Sequence, residues 1–595
     1  MMAFGRRSEL SAALSGARSA FIGVAVFTAL LNVLFLTGSF FMLQIYDRVL
    51  PGRSVPTLVG LSVLAAALYG FQAVLDVARN RVLTRIANGF VEQLDRRVYE
   101  LVVRLPLQVA GRQAEPARDL EQVRLFMAGG GPAALFDLPW LPFYLVICYL
   151  FHPLIGLTAT VGALILVSFT VLTEIKVRRP SLEASAMAAR RSRLVETSHN
   201  NAEVLHAMGM VGRFADLWSA NTRDHVAAQQ RTADVTGGIG GVSRACRMML
   251  QSAVLAVGAW LVIHNQATAG IIIAGSILAS RALAPIEVVI SQWRVFVGAR
   301  QGWHRLSEVM AWMPAGKPAM ALPAPCAQLV VAGLAVSPPG TRSAVVQHAG
   351  FTLERGQALG VIGPSASGKS SLVRAIVGVW PAVQGEVRLD GARIDQWPGE
   401  SLGAHVGYLP QDMELFAGTV AQNIARLDPA PPADKVIAAA NAAGVHEMIL
   451  GLPQGYETEM GEGGMLLSAG QRQRIGLARA LYGDPFLVVL DEPNANLDLQ
   501  GDEALTGAIR GVRARGGIVI VVAHRPSALA GVDQILVMEG GRQKAFGPKE
   551  TVFREALKVA PAAPASSSPT APAFPAAPAF QPATAAARAA GGRPS

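Results

Sequence analysis

Between about residue 19 and residue 290 the chain returns six times to apolar runs long enough to cross a lipid bilayer. A bilayer core needs roughly 20 apolar residues in a helix, and each run is close to that length. The runs fall at about 20–45, 56–77, 133–151, 154–174, 248–264 and 270–290. The third is the weakest, because Asp137, Pro139 and Pro142 interrupt it. Composition agrees: charged residues make up 16% of the chain, against about 25% in soluble domains. The deficit ends near residue 326, where charge alternation becomes that of a soluble domain. A chain of 595 residues exceeds one core, so at least two domains are expected.

Orientation follows from arginine and lysine. The short connections at His152-Pro153 and His264–Ala269 carry neither. The long segments 78–130 and 175–247 are rich in both, with Arg79, Arg81, Arg85, Arg96 and Arg97 in the first and Lys176, Arg178, Arg179, Arg190, Arg191 and Arg193 in the second. The positive-inside rule places these segments and both termini in the cytoplasm, with Arg48 and Arg53 running against it. Helical periodicity over Asn80–Leu105 and Leu182–Leu217 predicts spans that continue as long cytoplasmic helices toward a motor. Their tips, near Pro116–Glu121 and His206–Arg213, are the expected contact points. A separate soluble domain between spans fits such short, uniformly helical stretches less well.

The same rule accounts for the net charge of +10 without nucleic acid, for which no recognition signature is present. Arg6, Arg7 and Arg18 precede the first run, but that run is too long for the core of a cleaved signal. Cys148, Cys246 and Cys326 have no metal-binding spacing and are expected to be small buried or lipid-facing residues. Arg281 and Glu287 lie in span six about 240° apart on a helix, so they should not pair. Either Arg281 lines a water-filled path or the end of the span is wet. Trp140 suits an interfacial anchor.

Residues 363–370, Gly-Pro-Ser-Ala-Ser-Gly-Lys-Ser, form a complete phosphate-binding loop. A Pro/Ala-rich linker, 313–325, precedes this soluble half. The apolar strand Ala358–Ile362 runs into the loop and a helix begins at about Ser371, the context that separates a phosphate loop from a chance match. Gly363 and Gly368 turn backbone N–H groups toward the phosphates, with Pro364, Ser365, Ala366 and Ser367 between them. Lys369 should reach the β- and γ-phosphates, and the Ser370 hydroxyl should ligate Mg²⁺ beside Ser371. The strand Phe486–Leu490 delivers Asp491 to the metal and Glu492 to the attacking water as general base. The strand Gly517–Val522 ends at His524, placed to contact the γ-phosphate at the ligand-binding edge of an α/β sheet. Gln411, after Val406–Leu409, is a sensor of Mg²⁺ and water.

With Leu467-Ser468-Ala469-Gly470-Gln471 about a hundred residues further on, the set resembles an ATP-binding cassette transporter with membrane and motor halves on one chain. The resemblance covers about residues 15–555 and implies a six-helix membrane domain joined to an α/β phosphate-loop domain. It makes Gly363–Ser370 the Walker A motif, Gln411 the Q-loop, and Leu487–Asp491 with Glu492 the Walker B strand and catalytic base. Asn494–Asp498 becomes the D-loop, His524 the switch histidine, and Thr458–Glu462 the exporter-type X-loop. It further implies that Ser468, Gly470 and Gln471 of the signature motif bind the ATP of a second chain, so a homodimer is expected. Ala469 stands where the family has Gly, and its small methyl leaves the backbone N–H free. The family's adenine-stacking aromatic is missing from Leu334–Gly340, which carries Pro338 and Pro339.

Four further stretches are similar to type I secretion exporters of the metalloprotease and lipase group. They are Tyr46–Pro51, Asp137–Pro142, Asn201–Val204 with Ala207–Met210, and Ser280–Pro285. That group implies export of unfolded proteins with an uncleaved C-terminal signal across the inner membrane. It also implies a periplasmic membrane-fusion adaptor and an outer-membrane channel as partners. An exporter of lipids or small molecules would share the motor; a soluble DNA-repair or translation ATPase would lack the spans. No peptidase-like domain precedes residue 20, so leader cleavage is not expected. The expected domains are 1–312 in the membrane, the linker 313–325, the cassette 326–557 and an Ala/Pro-rich tail 558–595 with too few large apolar residues for a core.

Overall fold

The computed structural model describes residues 9–109, 115–314, 322–341, 343–461, 464 and 467–559. The C-terminal tail and most of the linker lie outside them. The chain divides into two compact units. One holds Met1–Ala321 with the short segments Ser337–Ala344 and Gly378–Pro381, and the other holds the remainder.

Six helical stretches of the first unit are long and apolar enough to cross a membrane: Arg18–Gly52, Val55–Gln108, Gly130–Phe151, Pro153–Val177, Val211–Ile263 and Ala269–Trp312, spans one to six below. All six expected runs are found, and the helices that carry four of them continue far beyond them. The 54-residue helix Val55–Gln108 is about 80 Å long at 1.5 Å per residue, more than twice the roughly 30 Å of a bilayer core. Local chemistry starts three of these helices. Ser54 Oγ accepts from Thr57 N, His152 Nδ1 from Leu154 N beside Pro153, and Thr268 Oγ1 from Ile271 N. Span six has a second cap: Asp47 accepts from Thr268 Oγ1 at 2.7 Å and from Gly270 N at 2.9 Å. A side chain at Gly270 would lie 2.6 Å from that carboxylate. Asp47 reaches this position from a single π-helical turn, Ile45–Val49, within span one.

The expected continuous helix over Leu182–Leu217 is corrected. The helix from Pro153 ends at Asn200, a short helix covers Ala202–Ala207, and Gly209 turns the chain at φ +62° before Val211. Asn201 and Gly209 supply the turn, so the break lies at the expected tip. Cys326 is also corrected: it is exposed, whereas Cys148 is buried. Its backbone N–H bonds Asp390 at the start of the second unit, which fixes the backbone and leaves the thiol in solvent.

A polar cluster joins spans one, two and three. Asn32 Nδ2 donates to Asp137 at 2.9 Å, Arg79 reaches Asp137 at 3.3 Å and Asp76 at 2.7 Å, and Tyr144 Oη donates to Asn32. Arg79 is 7% exposed. Burying a charge is tolerable only when it is paired, which explains why Asp137 sits in the broken third span. Arg281 and Glu287 do not pair. Arg281 stacks over Phe35 at 4.8 Å, and Glu287 meets Arg247 of span five at 2.7 Å. Span five also carries Gly237, Gly238, Gly240 and Gly241 in mid-helix, where an added Cβ would meet nothing within 4 Å. Four such glycines cost a helix about 4 kcal/mol relative to alanine.

The second unit is built on a ten-stranded sheet of order β5-β4-β1-β2-β10-β9-β3-β8-β7-β6. The strands are β1 (Gln328–Val336), β2 (Val346–Glu354), β3 (Ala358–Ile362), β4 (Ala382–Leu389), β5 (Ala392–Arg393), β6 (Val406–Leu409), β7 (Leu487–Asp491), β8 (Ile518–Val522), β9 (Gln534–Glu539) and β10 (Arg542–Pro548). β9-β3-β8-β7-β6 run parallel, and β4-β1-β2 antiparallel. β7 and β8 are buried along their whole length and so read as unbroken apolar runs. Helices pack on them through Ile475, Leu477, Leu505 and Ile509, which are nearly solvent-free.

Candidate functional site

In the parallel part of the sheet, the C-terminal ends of β3, β6, β7 and β8 lie along one edge. Gly363–Ser370 leaves β3, Gln411 follows β6, Asp491-Glu492 closes β7, and Ala523-His524 follows β8. Ligands of α/β sheets bind along this edge.

The loop is shaped by two glycines that no other residue can replace. Gly363 has φ +151°, and a Cβ there would lie 2.1 Å from Met538 O. Gly368 has φ +93°, and a Cβ there would lie 2.9 Å from Val345 O. The loop crest Pro364–Ala366 is open to solvent, while Ser367, Gly368 and Lys369 are buried. The helix Lys369–Ile376 begins at the end of the loop, so its free N–H groups face the crest. Lys369 Nζ donates to Gly363 O at 3.0 Å and to Pro364 O at 2.9 Å, lying across the loop where an anion's oxygens would replace the carbonyls. Burial lowers its pKa, opposed by the nearby Glu492 and Asp491 carboxylates.

Ser370 Oγ donates to Asp491 Oδ1 at 3.2 Å. Asp491 is 1% exposed, and its Oδ2 has no hydrogen-bond partner among the described residues. Burial raises its pKa, partly offset by the Ser370 bond. A buried carboxylate oxygen without a partner beside a serine hydroxyl fits a hard divalent cation such as Mg²⁺. Glu492, next in the chain, has φ +52°, a conformation uncommon outside glycine. Its N–H is held by Val522 O at 3.1 Å. Its carboxylate meets His524 Nε2 at 3.1 Å and Gln411 Nε2 at 3.3 Å. Lys369, Ser370, Gln411, Asp491, Glu492 and His524 therefore converge.

Ser468, Gly470, Gln471 and Asp498 form a second cluster. Ser468 caps the helix Ala469–Leu481 in a reciprocal box with Gln471, whose side chain is used on the Ser468 N–H at 2.9 Å. Ala469 is exposed, so its methyl group has room. A Cβ on Gly470 would lie 2.7 Å from Asn496 O, which ties the helix start to the loop Asn494–Asp498. Asp498 caps the helix Leu499–Ala514 through Gly501 N and pairs with Arg474 at 2.8 Å. No hydrogen bond among the described residues joins Ser468 or Gly470 to the phosphate loop.

Gln473 links the two clusters, a role that no motif in the sequence assigns to it. Its Nε2 donates to Glu492 O at 3.2 Å and Pro493 O at 2.6 Å, while its Oε1 accepts from Asn496 N at 3.1 Å. The one available signal is a glutamine two positions after Gln471, on the inward face of a helix. Glu462 of the expected X-loop lies outside the described residues; Glu459 bridges to Thr419 and Met460 N bonds Gly418 O.

Known proteins are similar to this chain in sequence and fold. The profile described as ABC transporter matches residues 346–495, and the ABC transporter transmembrane region matches residues 21–284. The chain is 55% identical over 556 residues to "Type I secretion system ATP-binding protein PrsD" of Rhizobium meliloti (strain 1021), covering 93% of this chain and 96% of that protein. It is 30% identical over 545 residues to "Cyclolysin secretion/processing ATP-binding protein CyaB" of Bordetella pertussis, covering 89% of this chain and 75% of that protein. A solved structure of a bacterial Atm1-family ABC exporter with ATP bound superposes with a TM-score of 0.78 at 22% identity, over 92% of this chain and 99% of that one. This last likeness speaks to the fold.

Proposed function

We propose, on the premise that this chain belongs to the ATP-binding cassette transporters and within them to the type I secretion exporters, that two copies work together in a bacterial inner membrane. The chain is a multi-pass membrane ATPase that exports proteins. On our reading it exports them unfolded, guided by an uncleaved C-terminal signal, through a periplasmic adaptor and an outer-membrane channel. The arginine-rich long segments favour a cytoplasmic motor.

The observation that carries the reading is the convergence of six side chains on one sheet edge, with the signature cluster separate from them. ATP would lie with its phosphates on the loop crest, its negative charge facing the helix N-terminus. Lys369 then exchanges two loop carbonyls for phosphate oxygens. Ser370 and Asp491 would hold Mg²⁺, which supplies charge neutralisation at the β- and γ-phosphates when bound. Glu492 takes the proton of the water that attacks the γ-phosphorus. His524 and Gln411 hold the Glu492 carboxylate in place from two sides. Ser468 and Gly470 of the second copy complete the site from the other side, so a single copy hydrolyses poorly.

Phosphate release by purified Glu492→Gln tests this. A general base contributes about 10²–10⁴-fold. Turnover should fall at least a hundredfold while ATP binding persists and the dimer is trapped. Turnover near the wild-type rate would remove Glu492 from its role.

A further inference from the structure

One cleft of the first unit shares no residue with the ATPase site. It holds about 440 Å³, within the roughly 300–1,000 Å³ of small-molecule sites. Four helices wall it: the short helix Pro116–Ala128 and the extensions of spans four, five and six. Its polar wall consists of groups able to donate hydrogen bonds, and most have nothing to donate to. Arg294, Gln122 and Gln229 line it, and none has a hydrogen-bond or ion-pair partner among the described residues. His225 lines it as well, and its Nδ1 is buried without a partner among the described residues. Arg118 adds a second guanidinium, paired at 3.1 Å with Glu115 one turn earlier. No Asp or Glu stands among the described lining residues. A buried polar atom left unpaired in a folded protein calls for an explanation, and an absent ligand supplies one.

The charge of the wall selects an anion. Guanidinium groups fit the oxygens of carboxylate and phosphate, and the three terminal oxygens of a phosphate monoester occupy more of these donors than a carboxylate does. The opposite wall is apolar: Leu125, Val295, Ala184 and Ala188 line it, and Leu125 is 52% exposed. The cleft therefore suits a phosphate that carries a small apolar body. Arginines that follow the positive-inside rule need only face the cytosol, and that rule leaves the unpaired imidazole on the same cleft unexplained. Depth separates a soluble ligand from a lipid. On span four the lining runs from Ser181 to Ala188, about 6–16 Å along the helix past Val177, where the apolar span ends. The headgroup layer adds only about 5–8 Å to each side of the hydrocarbon core. Most of the cleft lies beyond the lipid phosphates, in the cytosol in the orientation proposed above.

We propose that this cleft binds a soluble phosphate monoester from the cytosol, its phosphate on Arg294, Arg118 and His225 and its organic part on Leu125 and Val295. The bound ester touches four separate helices, so it stabilises the arrangement that keeps them together. The inference goes beyond ATP hydrolysis and protein export and takes from that reading only the orientation.

The test uses the full chain purified in detergent, with phenyl phosphate as the probe. Phenyl phosphate should raise the melting temperature saturably, with a Kd in the low-millimolar range expected of so small a ligand. Arg294→Gln removes a charged hydrogen-bond donor and should weaken binding by about ten- to a hundredfold, with basal ATP turnover unchanged. Gln229→Glu sets an acid in the cleft and should weaken it too; both side chains are exposed, so neither change threatens folding. Lys369→Ala, which disables the phosphate loop of the motor, should bind phenyl phosphate as the wild type does, and benzyl alcohol should give no shift. No saturable shift with phenyl phosphate overturns the proposal, as does an equal shift from benzyl alcohol or an undiminished one in Arg294→Gln and Gln229→Glu. Loss of the shift in Lys369→Ala moves the binding to the motor and overturns it as well. A shift from phosphatidic acid in nanodiscs but not from phenyl phosphate assigns the cleft to a lipid headgroup and overturns the soluble ligand. Binding in detergent depends on neither export nor orientation, so failure here is distinct from failure of those readings.

Discussion

Replacing Gln473 with alanine should damage catalysis without touching any group that meets ATP. The side chain is 6% exposed and makes three hydrogen bonds, two to the carbonyls of Glu492 and Pro493 and one from Asn496 N. At about 1 kcal/mol net per bond, some 3 kcal/mol of loop anchoring is lost. Glu492 holds φ +52°, a conformation costing a non-glycine residue about 1–3 kcal/mol unless its surroundings enforce it. With Gln473 gone, the Val522 carbonyl still pins that backbone through the Glu492 N–H. The two energies are then comparable, and Glu492 relaxes away from His524 and Gln411 for most of the time. A loss of about 1.4–2.8 kcal/mol in the productive geometry means a ten- to hundredfold lower kcat. Binding should move much less, because Lys369 and the loop are unaffected. Steady-state phosphate release gives kcat, and equilibrium titration with a fluorescent ATP analogue gives affinity. A kcat within twofold of wild type, or a fall in affinity that accounts for the whole loss, would refute the idea that Gln473 positions the base.

Three other outcomes are expected. Gly363→Ala places a methyl group 2.1 Å from Met538 O, so analogue titration should show ATP binding reduced beyond detection. Asp137→Ala leaves the buried Arg79 with Asp76 as its remaining acid. Breaking a buried pair costs about 3–5 kcal/mol, and with Asp76 retained the low end applies; the melting temperature of the detergent-purified chain should fall clearly. The double variant Arg79→Leu/Asp137→Leu should fall less than either single variant. Asp47→Ala removes the second cap of span six, worth about 1 kcal/mol, and should lower the melting temperature by a smaller, measurable amount.

The legible parts of this chain are those whose physics is local. A phosphate loop needs glycine at positions 363 and 368 because of backbone angles and close approach, and both appear at a fixed spacing after an apolar strand. The spans were legible because twenty consecutive residues share one solvent. The ends of β7 and β8 were legible because fully buried strands stop where polar residues begin. What escaped depends on contacts between distant segments. Gln473 acquires its role from loops about 20 residues away, and the Asn32, Arg79 and Asp137 cluster from three separate spans. The break between Asn200 and Val211 falls at the tip expected near His206–Arg213, but the early end of the first helix at Asn200 was hidden by helix-forming neighbours. Exposure of Cys326 was unreadable because a thiol beside a linker gives no signal of what covers it.

Every step of ATP turnover proposed above requires the phosphate loop of one copy to meet the signature helix of another. Ala366 on the loop crest and Ser468 at the helix start are both exposed. A full-length chain with Cys148, Cys246 and Cys326 removed and carrying Ala366→Cys, Ser468→Cys and Glu492→Gln can be oxidised with and without ATP. Covalent dimer, running at twice the 62.5 kDa of one chain and formed only with ATP, is the expected result. A disulfide that leaves the chain at its single mass would put both halves of the site in one copy and contradict the shared-site reading.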